Sequence, residues 1–146
     1  MKRFLNVSLA ALLVAAALPG AAADPPKGAG EATKSPQAKV YLAWVKAVKA
    51  ADLEAWKKVV PAEASQQIDA QATEMKKKPK EILEFIGSMT PDDNKFTGLK
   101  VEGNKATLSV TGMTKGEPKP SYGSVEMIQE AGAWKVGKQS WSDKPE

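Results

Sequence analysis

The spacing of the apolar residues changes near Pro91, and this change constrains the fold more than any other feature of the sequence. Before Pro91 the large apolar side chains recur at intervals of three and four residues, as they do along one side of a helix. After Pro91 they alternate with polar residues, as they do in a half-buried strand. Helices that precede strands in this way are typical of an α+β domain, in which helices cover one face of an antiparallel sheet.

Four helices are predicted in the first part of the chain. Ser35 followed by Pro36 is a helix N-terminal signal. The apolar stripe of this first helix consists of Val40, Tyr41, Trp44, Val45 and Val48. Asp52 is expected to cap a second, short helix, and Ser65 is expected to cap a third. A fourth helix is expected to end at Gly87, because glycine is common just after a helix C-terminus.

Four strands are predicted in the second part. They comprise residues 96–102, 106–111, 122–130 and 133–141. Tight turns at Gly103-Asn104 and Ala131-Gly132 join them in pairs, since these residues tolerate positive φ. Leu108, Val110 and Val136 are expected to face the helices. The predicted fold is therefore α+β, with N-terminal helices packed on a curved antiparallel sheet of about four strands.

The first 23 residues have the three parts of a secretory signal peptide. Met1-Lys2-Arg3 is basic, the stretch from Phe4 to Leu18 is mostly apolar, and Ala21-Ala22-Ala23 provides the small residues of a cleavage site. The apolar stretch is shorter than the about 20 residues that span a bilayer. We therefore expect a periplasmic or secreted protein with no integral membrane segment after cleavage.

The rest of the chain is expected to form one domain. Residues 24–35 are rich in Pro and Gly and show no apolar period, so they are predicted to be a flexible lead-in. Residues 36–141 contain all the predicted helices and strands, and their length suits a single α+β domain. Residues 142–146 are expected to be a frayed tail.

Three absences restrict the chemistry. The chain has no His and no Cys, which removes the commonest general base, the commonest metal ligand and any disulfide. Its single Arg, Arg3, lies in the signal segment. We accordingly expect no catalytic residue, no metal site and no cofactor. Without Lys2 and Arg3 the formal net charge falls from +4 to +2, which is too small to indicate nucleic acid as a partner.

The densest run of charge is Lys76-Lys77-Lys78-Pro79-Lys80. Such a run can contact an anionic surface, for example phospholipid or a polyanionic polymer of the cell envelope. The simpler interpretation is a hydrated helix end, because cations stabilise a helix C-terminus. A short Lys cluster without Arg or interleaved aromatic residues is a poor track for nucleic-acid phosphates.

Two parts of the chain carry a resemblance to a known family. Residues 41–56, YLAWVKAVKAADLEAW, read as a long helix that runs into a short second helix. Residues 102–110 and 125–136 read as paired strands. Together they resemble the ketosteroid-isomerase-like superfamily, also called nuclear-transport-factor-two-like or cystatin-like, and its secreted bacterial members of unknown function. The resemblance covers about residues 36–141 and implies a cone, in which a strongly curved sheet wraps around the helices and leaves a pocket at the open end.

Six residues are candidates for a pocket or a partner surface. They are Tyr41, Trp44, Tyr122, Glu126, Trp134 and Trp141. Trp44 lies on a helix stripe and Trp134 on a strand, so both are expected in the core or in the lining of a pocket. Trp141 is near the end of the chain and is the most suited of the Trp residues to cover a pocket mouth or a partner surface, although a position in the core is the leading expectation for it as well.

The resemblance implies a specific arrangement for any catalytic activity. In the isomerases of the superfamily a carboxylate base works beside a Tyr. Glu126 is the best match to that carboxylate, because it lies four residues from Tyr122 and shares its strand face. However, Val125 and Met127 are the apolar alternates of this strand, so Tyr122 and Glu126 are expected to face solvent or a partner.

The missing catalytic residue types favour an exported binding or protein-interaction domain without catalytic activity. One alternative is a small-molecule enzyme of the isomerase or dehydratase type, and another is a periplasmic inhibitor or immunity protein. The expected partner is another protein or a small apolar ligand, and the sequence also allows a homodimer. Glu126 within hydrogen-bond reach of Tyr41 or Tyr122 inside the cone would favour the enzyme.

Export predicts a defined N-terminus for the mature protein. The intact mass of the protein from the periplasm or the medium should correspond to a chain that starts at Asp24, because cleavage is expected after Ala23. A cytoplasmic chain that retains Met1 or Lys2 would contradict the prediction.

Overall fold

Helices come first and strands follow in the computed structural model, which describes residues 26–145. The five helices of this range are α1 Ala29–Lys34, α2 Pro36–Lys49, α3 Leu53–Lys58, α4 Ala62–Glu74 and α5 Pro79–Met89. The five strands are β1 Lys27–Gly28, β2 Lys95–Glu102, β3 Lys105–Gly112, β4 Ser121–Glu130 and β5 Ala133–Ser142. The predicted α+β class is confirmed. The predicted signal peptide, residues 1–23, lies outside the described residues.

The strands form one open antiparallel sheet in the order β1-β2-β3-β4-β5. β2 to β5 are the four strands expected from the alternating pattern, and each pairs with the next along the chain. Gly103 and Gly132 have φ values of 64° and 80° in the two predicted tight turns. The register shifts twice, once between β2 and β3 and once between β4 and β5.

Side-chain caps begin two helices at the predicted residues. The backbone N–H of Ala38 donates a hydrogen bond of 3.1 Å to Oγ of Ser35, and Pro36 occupies the first turn of α2. The N–H of Ala55 donates a hydrogen bond of 3.1 Å to Oδ1 of Asp52 at the start of α3. Each cap satisfies a donor that the helix leaves free, and such caps are typically worth about 1 kcal/mol.

The segment predicted as a flexible lead-in, residues 24–35, contains a strand and a helix in its described part. Within it, residues 27–28 form β1, which pairs with β2, and α1 follows directly. Ala32 of α1 is fully buried, and α1 lies against β2. Strand pairing and burial in the tertiary structure therefore order a segment whose composition alone is that of a linker.

Two helix boundaries also differ from the predictions. α4 begins at Ala62 and not at Ser65. α5 continues past Gly87, because this glycine is buried where α5 crosses α2. A Cβ atom on Gly87 would collide with the backbone carbonyl group of Val48. Glycine therefore permits a close approach of two helices here and does not end the helix.

The core lies between α2 and the inner face of the sheet. The rings of Tyr41 and Trp44 stack with centroids 5.8 Å apart, and the ring of Phe96 on β2 meets Tyr41 edge-on at 6.0 Å. The sheet contributes alternate apolar residues, which are Ala106, Leu108, Val110, Val125, Met127 and Val136. Each of the larger side chains contributes about 1.5–3 kcal/mol by burial. Leu108, Val110 and Val136 are buried in the same core cluster as Tyr41, Trp44 and Val48 of α2.

Lys49, the last residue of α2, connects this helix to the end of α5 and to the loop before β2. Its ammonium group lies 2.9 Å from Oδ1 of Asp92 and donates a hydrogen bond to the carbonyl oxygen of Thr90, the C-cap of α5. Nδ2 of Asn94 donates to the carbonyl oxygens of Pro91 and Asp92 at 3.0 and 2.8 Å. These bonds shape the loop that leads from the helices into β2. The ion pair is partly exposed, so its own contribution to stability is small.

Replacement of Trp44 tests the core. Trp44→Ala should lower the free energy of unfolding by about 3–5 kcal/mol, because the side chain is only 7% exposed and stacks on Tyr41. Leu42→Ala on the same helix is the control, and it should cost less than about 1 kcal/mol since Leu42 is 45% exposed. Urea titration measures both values. A loss below about 1 kcal/mol for Trp44→Ala would contradict the core assignment.

Candidate functional site

The face of the sheet that points away from the helices carries many hydroxyl groups. Successive strand residues point to opposite faces, and the buried Leu108, Val110 and Val125 mark the face that packs on the helices. We call the opposite surface the outer face. Its hydroxyl residues are Thr107, Ser109 and Thr111 on β3, Tyr122 and Ser124 on β4, and Ser140 and Ser142 on β5.

The register of the strands places these hydroxyl residues side by side. Two rows cross the sheet, namely Ser109–Ser124–Ser140 and Thr111–Tyr122–Ser142. Neighbouring strands are about 4.8 Å apart, so each row presents hydroxyl-bearing side chains at about that interval. A hydroxyl group both donates and accepts hydrogen bonds. Along the two rows, a ligand would therefore meet closely spaced hydrogen-bond donors and acceptors.

The two rows line a shallow depression of about 290 Å³. Thr97, which lies at the register shift in β2, and Pro145, which follows β5, line it as well. Trp141 is paired with Gly123 on β4, where a Cβ atom would approach the indole ring to 2.7 Å. Gly123 in turn pairs with the buried Val110, so the Trp141 ring lies on the inner face and packs against the core.

Charged residues surround the depression but do not line it. Of the whole chain 26% is charged, yet the lining contains no Asp, Glu or Lys. Lys100 and Glu126 lie on the outer face beyond its edge. A neighbouring depression that shares Thr111 is lined by Asp93 and Lys95. An uncharged lining in so charged a chain suits a ligand without net charge, because a buried charge needs a partner.

Two of the six candidate residues, Tyr41 and Trp44, lie in the core. Tyr41 is fully buried, and its hydroxyl group has no hydrogen-bond partner within residues 26–145. Burial raises the pKa of the Tyr41 hydroxyl far above its ordinary value. Trp44 stacks on this ring and is equally enclosed. In the structure both residues pack the interior.

The other four candidates are spread over the sheet. Tyr122 lines the depression. Glu126 is exposed on the outer face, four residues along β4 from Tyr122, which is about 13 Å at the rise of an antiparallel strand. Trp134 and Trp141 are half-buried against the core on the inner face. Of these four residues, the structure therefore places only Tyr122 in the depression.

The carboxylate–tyrosine arrangement implied by the resemblance is not assembled by these residues. Glu126 lies on the outer face, whereas Tyr41 lies in the core on the other side of the sheet. Tyr122 shares the outer face with Glu126, but their backbones are about 13 Å apart and Glu126 is not in the lining of the depression.

Residues 26–145 contain neither a metal-binding cluster of acidic side chains nor a membrane-spanning helix. In this range no three Asp or Glu side chains converge as a metal-binding cluster would require. None of the helices in the same range combines the length and apolar character needed to cross a bilayer.

The sequence patterns did not identify the hydroxyl residues of the outer face as a site. The signal on β3 was present, because Thr107, Ser109 and Thr111 alternate with apolar residues. Alternation shows only that these residues share a face. Their proximity to Ser124 and Ser140 depends on the strand register, which turns and register shifts determine together.

Comparison with protein-family models, curated proteins and solved structures found no match to this chain. The interpretation of the site therefore depends on its geometry and chemistry. The resemblance to the ketosteroid-isomerase-like superfamily stays a prediction from short sequence segments.

The enclosed Tyr41 hydroxyl predicts a loss of stability in alkali. Its pKa is higher in the folded chain than in the unfolded chain, where it is about 10, so deprotonation favours unfolding. This contribution to stability is complete below about pH 10 and is lost as the pH rises further. Tyr41→Phe should reduce the alkaline loss and change stability at neutral pH by less than about 1 kcal/mol, because it removes a hydroxyl without a partner.

Urea midpoints measured from neutral pH to pH 11 provide the test. Tyr122→Phe, which removes the other tyrosine hydroxyl of the chain, is the matched control and should leave the alkaline loss unchanged. An equal alkaline loss in Tyr41→Phe and the unmodified protein would show that Tyr41 is not enclosed.

Proposed function

We propose that this chain is an exported, non-catalytic binding domain that binds a neutral polar ligand on the outer face. The observation that carries the proposal is the depression above the two hydroxyl rows, whose lining has no charged residue. Protein surfaces that meet only water are typically about 25–35% charged, and this lining departs from that composition. A concave surface of hydroxyl groups instead suits a ligand that both donates and accepts hydrogen bonds.

One aromatic residue narrows the class of ligand. Tyr122 lines the depression and combines an apolar ring with a polar hydroxyl group. Beside the serines and threonines, it suits a compact molecule with polar edges and apolar faces, such as a neutral sugar ring. The small apolar ligand expected from the sequence fits less well, because it would leave the hydroxyl groups without bonding partners.

The positions of the ionisable residues support binding over the isomerase or dehydratase alternative. Glu126 is exposed outside the depression, and Tyr41 is enclosed in the core. A carboxylate that does not reach the bound ligand cannot serve as its general base. The residues that do reach the depression are hydroxyl-bearing and aromatic side chains without an adjacent base, which makes them binding groups.

We also propose that the sheet is curved into a cone and that the chain is a member of the ketosteroid-isomerase-like superfamily. The order of helices before an antiparallel meander supports them, and the two register shifts do so as well, because bulges bend a sheet. On this proposal Tyr41, Trp44 and Phe96 fill the concave side, and the ligand is bound on the opposite face. An experimental structure with a flat sheet would contradict the cone.

Amide chemical shifts of the ¹⁵N-labelled protein test the binding surface. The protein is titrated with three probes of different chemistry: maltose, an uncharged tripeptide and adenosine monophosphate. A neutral probe should shift the amides of Ser109, Ser124 and Ser140 and leave the amides of the helices in place. Binding of the nucleotide alone, or shifts confined to the helices, would contradict the proposal.

A matched pair of variants on β4 locates the effect. Ser124→Trp fills the depression at its middle strand and should abolish the shifts. Ile128→Trp adds the same side chain to the same face of the same strand, four residues outside the lining, and should leave the binding intact. Equal binding by both variants would place the ligand elsewhere.

A further inference from the structure

The turn between α4 and α5 concentrates basic charge at the surface. Lys76, Lys77, Lys78 and Lys80 are all exposed, and we call these four residues the lysine turn. No carboxylate in the described part of the chain forms an ion pair with any of them. Residues 75–89 contain these four lysines and only Glu81 and Glu84 as acids, so the region keeps an excess of two positive charges.

Three large apolar side chains are exposed just before the lysine turn and along α5, which follows it. Met75 directly precedes it and is 56% exposed, and Phe85 and Met89 on α5 are 65% and 63% exposed. Within residues 26–145 they are the three most exposed large apolar residues. A group of exposed apolar side chains, unlike a single one, indicates a surface that binds a membrane or another partner.

Lys78, Phe85 and Met89 lie along one side of α5, whereas Lys80 lies on another side. Phe85 follows Lys78 by seven residues, which is about two helical turns, and Met89 follows Phe85 by four, which is about one turn. At 1.5 Å per residue, the line from Lys78 to Met89 is about 16 Å long. This side of the helix therefore has the lysine turn at its start and Phe85 and Met89 along the second half, with the acidic Glu81 between them.

We propose that the lysine turn and this side of α5 dock the domain onto an anionic phospholipid bilayer. The ammonium groups meet the lipid phosphates, and Met75, Phe85 and Met89 enter the boundary between headgroups and acyl chains. A soluble polyanion would engage the lysines and leave the three apolar side chains in water. The combination of unpaired positive charge and exposed apolar surface therefore favours the bilayer.

Docking through α5 leaves the outer face accessible. α5 packs on α2, and α2 packs on β3 and β5 from the inner side of the sheet. The helices therefore lie between the docked surface and the sheet, and the outer face points away from the bilayer. Membrane attachment and the proposed ligand site use separate surfaces, so either can be tested without the other.

Vesicle flotation of the exported protein tests the docking. The protein should bind vesicles of equal parts phosphatidylcholine and phosphatidylglycerol at least about tenfold more strongly than vesicles of phosphatidylcholine alone, and high salt should release it. Equal binding to both kinds of vesicle, or no binding to either, would overturn the proposal.

Two variants, each with four Lys residues replaced, distinguish an effect of the lysine turn on vesicle binding from an effect of the overall net charge. The first changes Lys76, Lys77, Lys78 and Lys80 to Gln and should weaken binding at least about tenfold. The second changes the exposed Lys115, Lys119, Lys138 and Lys144 to Gln, which alters the net charge equally, and should retain most of the binding. Equal losses in the two variants would show attraction by overall charge and overturn the docking site.

A second pair of variants tests the apolar contact. Phe85→Ser should weaken vesicle binding severalfold, whereas Leu42→Ser, at an exposed apolar residue of α2, should not. Circular dichroism checks that each variant is folded, and Phe85→Gln provides a second replacement. Undiminished vesicle binding by the folded Phe85 variants would overturn insertion and favour a soluble polyanion as the ligand of the lysine turn.

Discussion

The packing of α2 on the inner face of the sheet is the contact on which the rest of the structure depends. The stacked rings of Tyr41 and Trp44 belong to this helix, and Phe96 of β2 meets Tyr41 edge-on, so one aromatic group joins helix to sheet. The chain has no Cys, and burial of apolar surface must therefore stabilise the fold without disulfides. α5 depends on the same helix, because Gly87 allows it to approach the backbone at Val48.

The two faces of the sheet have different physical roles. On β3 the buried Leu108 alternates with Ser109, so a single strand contributes both to the core and to the hydroxyl rows. Residues of the inner face determine stability, and residues of the outer face are free to change with little effect on it. This separation allows a small domain to carry a binding surface without weakening its core. The lysine turn lies on a third surface, at the helical side of the domain.

Local features of the sequence were the most predictable. The caps at Ser35 and Asp52, the α+β class and the four long strands depend on contacts between residues close together in the chain. The short strand β1 was not predicted, because it depends on pairing with β2, and the end of α5 was predicted wrongly, because Gly87 lies at the contact with α2. Those contacts join residues that are far apart in sequence.

The sequence by itself determined which chemistry the chain lacks and where helices give way to strands, because composition and apolar spacing are local properties. Only the tertiary structure decided that Tyr41 is enclosed and that Ser109, Ser124 and Ser140 stand in one row. The physical reason is that alternation assigns each residue to a face, whereas the alignment of neighbouring strands depends on turns and register shifts that act over the whole sheet.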